Sequence, residues 1–176
     1  MPIKDVLLPL IGESYEPTLA AIEKCVALAA GLGARVTALA LEDQVLVRPK
    51  VVSPDGPAAA KPAETSDMQR LLNALNDAAS RKNVRAERRS GKMPVEQIAS
   101  TLAEHARFND LTLVTVRPHD SCTERVIETL LFESGRPLLL CPEHRAAELR
   151  ANFENIVIAW DNSARAARAV GCTAVP

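Results

Sequence analysis

Residues 4–41, KDVLLPLIGESYEPTLAAIEKCVALAAGLGARVTALAL, decide the fold. Val6 to Leu10 is a continuous apolar run, which marks a strand covered on both faces. A polar Gly12-Glu13-Ser14 turn follows. Leu19, Ile22, Val26 and Ala29 then recur at helical spacing, and Gly31 and Gly33 are expected to stop that helix. Ala34 to Leu41 reads as a second buried strand. Strand, helix and strand in this order form a β-α-β unit, whose two strands must pair in parallel.

The same alternation continues downstream. Arg48 to Asp67 holds four prolines, a glycine and a run of alanines, so residues 48–67 are expected to form a flexible loop. Met68, Leu71, Leu72, Leu75 and Ala79 form the apolar stripe of a helix ending near Lys82-Asn83. Val84 to Arg89 reads as a short, charge-rich strand. Pro94 is placed as the first residue of a helix facing inward through Val95, Ile98, Ala99, Leu102 and Ala106. Leu111 to Val116 is a buried strand. Asp120 or Ser121 caps a helix through Val126, Ile127, Leu130 and Leu131, which Gly135 ends before the strand Leu138 to Cys141. Five strands alternating with four helices predict an α/β fold, an open parallel sheet with helices on both faces.

Composition narrows the function. The chain has 176 residues, 47% of them hydrophobic, with a formal net charge of -1 and 3% aromatic residues. Nothing global attracts nucleic acid or an anionic membrane, and base-stacking platforms are scarce. There is no apolar run long enough to span a bilayer and no signal-peptide pattern, so a cytoplasmic location is expected. The four cysteines show no C-x-x-C spacing and read as reduced thiols.

Residues 143–153 read as a charged linker, and residues 154–176 restate the start of the chain. Ile156, Val157 and Ile158 fall on Val6, Leu7 and Leu8, and Asp161-Asn162 falls on Ile11-Gly12. The expected organisation is one domain over residues 1–142 followed by the opening of a second repeat.

Several segments, taken in order, resemble the universal stress protein family: Lys4 to Leu8, Ala29 to Thr37, Leu111 to Val116, and Glu133-Ser134-Gly135-Arg136-Pro137 running into Leu138 to Pro142. The resemblance resumes with Ala159-Trp160-Asp161-Asn162-Ser163, which is similar to the first strand and turn in tandem members of that family. It implies an adenine-nucleotide alpha hydrolase-like sheet in the order 3-2-1-4-5, dimerisation, and often ATP bound by an Asp after the first strand and a glycine-rich loop after the fourth.

This chain departs from both binding elements. Ile11 stands where the Asp would, and it offers a ribose no hydrogen bond. After the fourth strand Arg117-Pro118-His119-Asp120 has no glycine, Pro118 lacks an N–H, and Asp120 brings negative charge to the phosphate position. No cofactor is expected, and ATP or AMP only as weak ligands. The expected crevice, degenerate for nucleotide, is lined by Ile11, Gly12, Leu41, Arg117 and His119 at the carboxyl ends of the first and fourth strands. Asp161, Asn162 and Ser163 match the family's Asp-containing turn and would open a second-repeat nucleotide site.

Other patterns carry less. His119-x-x-Cys122 and Cys141-x-x-His144 supply the ligand types of a zinc site, but Cys141 ends an apolar strand and Cys122 lies in a capping turn. Arg81, Lys82, Arg85, Arg88, Arg89 and Lys92 make a basic stretch. It reads as an edge strand guarded by charge, not as a nucleic-acid surface. Gly31-x-Gly33 follows a helix and is no dinucleotide fingerprint. No acid–base pair stands out, so no enzymatic activity is expected. The function expected is that of a non-catalytic stress-response or regulatory module. It would form a homodimer through the fifth strand or the C-terminal strand and act on a protein partner. The alternative is an ATP-binding or slowly hydrolysing protein whose site lies mainly in the second repeat.

Overall fold

The computed structural model describes residues 3–11, 16–44, 67–116, 120–142, 157, 161–164 and 166–167, without the side chains of residues 16–18. The expected loop at 48–67, apart from Asp67, and the linker at 143–153 lie outside the described residues. The elements are β1 (Asp5–Leu10), α1 (Glu16–Leu32), β2 (Arg35–Asp43), α2 (Asp67–Lys82), β3 (Ala86–Met93), α3 (Val95–Ala106), β4 (Leu111–Val116), α4 (Ser121–Glu133) and β5 (Leu138–Pro142). All four strand pairings are parallel and the order is β3-β2-β1-β4-β5. That is the expected sheet.

β1 sits at the centre because both of its faces are apolar. Val6, Leu8 and Leu10 point to the side covered by α1 and α2, where they meet Ile22, Val26, Leu71 and Leu75. Leu7 points the other way, into a half-core with Leu39, Leu41, Leu102, Val114, Val126 and Leu130 beneath α3 and α4. The alternation of a strand thus splits one apolar run between two layers.

Three boundaries differ from expectation, each for a local reason. α1 runs through Gly31 and ends at Gly33, whose φ of +65° provides the left-handed turn that glycine favours. β3 begins and ends later than Val84 to Arg89. It pairs with β2 continuously from Val36↔Ala86 to Asp43↔Met93, so a parallel ladder holds Ser90-Gly91-Lys92 in a strand that their intrinsic preference disfavours. Pro94 is the N-cap of α3 and not its first residue, with φ -57° and ψ 140° and its carbonyl accepting from Gln97 N at 2.9 Å.

α4 buries Val126 and Leu130 but leaves Leu131 58% exposed, since among the described residues the sheet ends at β5 and no strand beyond it covers the rest of the stripe. Leu140 of β5 is also 45% exposed. No helix of the described residues is long and apolar enough to cross a membrane.

Candidate functional site

The carboxyl ends of β1 and β4 diverge to opposite sides of the sheet centre, since β1 leads to α1 and β4 to α4. Such a divergence opens the crevice in which ligands of open α/β sheets bind. Ile11 and Leu41 are brought together there, both packing on the apolar half-core beneath α3 and α4. Gly12, Arg117 and His119 lie outside the described residues.

The wall on the β4 side is the N-terminus of α4. A bare helix start presents unpaired N–H groups and partial positive charge, a natural seat for a phosphate. Here Asp120 takes that seat. Its Oδ1 accepts from Cys122 N at 3.1 Å and from Thr123 N at 3.3 Å. Its Oδ2 accepts from the Thr123 hydroxyl at 2.7 Å, and its carbonyl accepts from Glu124 N at 3.0 Å. The Asp120 carboxyl therefore engages two of the N–H groups that a phosphate seated at this helix start would use. At the end of β1, Ile11 adds an apolar side chain with no hydrogen-bonding group.

The surrounding charges are mixed, with the carboxylates and Arg125 acting in opposite senses on Cys122. Burial, followed by the charge of Asp120, pushes the Cys122 thiol above its ordinary value; Arg125 opposes this, and the charge of Asp43 adds to it. Asp43 is a crevice residue that the sequence reading missed. It stands two residues after Leu41 at the end of β2, and strand alternation places it on the same sheet face; that spacing was the available signal. Because a raised pKa lowers the thiolate fraction at neutral pH, Cys122 should be alkylated by iodoacetamide more slowly than a free cysteine at pH 7 to 8. Asp120→Asn should speed the reaction by bringing the pKa down. Peptide mapping by mass spectrometry reads both rates at Cys122 alone.

Of the candidate zinc ligands, the two described cysteines lie on opposite faces of the sheet. Cys141 is 1% exposed and packs in the half-core beneath α1, whereas Cys122 heads α4 across the sheet. Burial above all, then the neighbouring Cys141, pushes the Cys25 thiol well up. Cys25, Cys122 and Cys141 are not joined in a disulfide. His119 and His144 lie outside the described residues, among which no group of three or more metal-ligating side chains occurs.

Asp161-Asn162-Ser163 forms an ordered turn. Asp161 Oδ1 accepts from Ser163 N at 2.9 Å, Asn162 takes a φ of +60°, and Ser163 Oγ accepts from Ala166 N at 3.1 Å to cap the helical residues that follow. Hydrogen bonds from the Ser163 side chain and backbone hold the Asp161 carboxyl below its usual range. Val157, in the segment that restates the start of the chain, is not in a strand and is 96% exposed.

A cleft of about 330 Å³ lies further along the carboxyl edge, between the ends of β2 and β3 and the start of α2. It is lined by Glu42, Met68, Gln69, Leu72, Ser90, Gly91 and Lys92. Sequence periodicity gave no sign of it, because it depends on β3 pairing with β2 as far as Met93.

No family model matches the chain, and no curated protein does. Among solved structures, a universal stress protein in complex with cAMP is similar to this chain with a TM-score of 0.53 at 16% identity, covering 81% of this chain and 99% of the other. A protein from the universal stress protein family of Burkholderia pseudomallei gives a TM-score of 0.50 at 24% identity, covering 80% of this chain and 96% of the other. Likeness at these identities is likeness of fold. With the strand order, the parallel pairing and the helices on both faces already established, the chain has the fold of the universal stress proteins.

Proposed function

We propose that this chain is a non-catalytic stress-response or regulatory module that works by dimerising and engaging protein partners, with its nucleotide crevice closed to ATP phosphates. The observation that carries this reading is the Asp120 carboxylate bound to Cys122 N and Thr123 N at the start of α4. The carboxylates of Asp43 and Asp120 beside the Cys122 thiol support it, because both oppose a second anion. The proposed location is the cytoplasm, in keeping with cysteines that are not joined in a disulfide.

Calorimetric titration with ATP and, separately, with cAMP tests the reading. The similar structure that holds cAMP makes it the second nucleotide to try. ATP should give no saturable heat up to millimolar concentration. Saturable ATP binding in the micromolar range would overturn the proposal, whereas cAMP binding alone would keep the non-catalytic module and give it a ligand.

A second reading places nucleotide binding, with or without slow hydrolysis, mainly in the second repeat. The ordered turn that holds Asp161 ionised at the surface favours it. On that reading Asp161→Ala removes ATP binding; on the first there is none to remove.

A further inference from the structure

The two edges of the sheet differ in chemistry. β5 ends it with leucines, whereas every residue of β3 is exposed or half-buried and the strand carries Arg88, Arg89 and Lys92 against the single carboxylate of Glu87. Val36 N donates to Arg85 O at 2.9 Å, so Arg85 turns its backbone carbonyl toward β2. Backbone groups alternate along a parallel strand, so those of Ala86, Arg88, Ser90 and Lys92 point away from β2. No described residue pairs with that side.

The side chains along this edge leave an excess of positive charge. Arg89 pairs with Glu87 at 2.8 Å and Lys92 with Glu42 at 3.2 Å. Arg88 reaches only the Asn73 amide oxygen, at 3.4 Å, and among the described residues neither Arg88 nor Arg85 has a carboxylate within ion-pair distance. We propose that the outer edge of β3 docks an extended acidic segment of a partner protein, which joins the sheet as a sixth strand. Strand addition supplies main-chain hydrogen bonds, and carboxylates spaced along the added strand meet the exposed guanidinium groups. The same charges that guard an edge decide what it accepts. A second copy of β3 laid against the first would oppose cation to cation, whereas an acidic strand would not.

The test uses the full ¹⁵N-labelled chain and a short synthetic peptide of threonine and glutamate whose glutamates fall on both strand faces. Saturable shifts are expected at the amides of Arg88, Ser90 and Lys92, and none with the peptide that carries lysine in place of glutamate. Ser90→Pro removes one outward N–H while leaving the ladder to β2 in place. It should weaken binding at least about tenfold, as should the double variant Arg85→Glu/Arg88→Glu, with circular dichroism unchanged. Absence of saturable shifts, equal binding of the lysine peptide, or binding that either variant leaves unaltered overturns the proposal.

Discussion

Replacing Leu102 with alanine is expected to lower the unfolding free energy by about 2–5 kcal/mol, a large share of what a domain of this size holds. Leu102 lies in the middle of α3 and is fully buried, facing Leu7, Leu39 and Val114 of three adjacent strands. Truncation leaves a cavity between two rigid layers that cannot close over it, so the lost contacts add to the lost transfer energy. Urea unfolding followed by circular dichroism should show an earlier midpoint with an unchanged slope. Phe108 is 85% exposed, and Phe108→Ala should shift the same curve by no more than about 0.5 kcal/mol. A comparable loss from both variants would mean that the α3 layer does not carry the core.

The second large effect concerns the proposed dimer. Leu131 and Leu140 are exposed beside the half-buried Ile127 and Leu138, giving α4 and β5 a shared apolar margin at the end of the sheet. Each leucine buried at an interface contributes about 1.5–3 kcal/mol, and a two-fold axis counts every substitution twice. Leu131→Lys/Leu140→Lys should therefore weaken association by at least about a hundredfold and yield a monomer in sedimentation equilibrium. Helical content should stay the same, since neither side chain belongs to the buried core. A wild-type monomer at the concentration of the experiment, or a dimer in the double variant, would count against β5 as the interface.

The architecture was legible because its central strands β2, β1 and β4 are largely buried on both faces and its helices are not. Continuous runs such as Val6 to Leu10 and spaced stripes such as Met68, Leu71, Leu72 and Leu75 differ in period, and the structure places both in the core. Legibility failed where a neighbour overrides local preference. Gly31 looks like a helix stop, yet α1 continues to Leu32 because buried Leu28 and Ala29 hold that turn on the sheet. Ser90-Gly91-Lys92 looks like a loop, yet β2 supplies a partner for each of these residues. Leu131 fits the α4 stripe but stays exposed, because periodicity reports a face and not whether anything covers it.

The crevice was legible in part for the same reason. Ile11, Leu41 and Asp120 are read from local context: the end of a strand, the end of a strand and a helix cap. Asp43 could not be assigned that way, since its effect on Cys122 depends on two elements far apart in the chain. For Asp120 the sequence already offered both a helix cap and a negative charge at the head of α4; the structure adds its hydrogen bonds to the successive amides of Cys122 and Thr123.

Whether Asp120 holds the start of α4 against a nucleotide is read from amide chemical shifts. In ¹⁵N spectra recorded during titration with ATP, the Cys122 and Thr123 amides should not move, because their hydrogen bonds to Asp120 are retained and no phosphate displaces them. Saturable shifts of these two amides would contradict the account, for they would show the carboxylate leaving the helix terminus to admit a nucleotide.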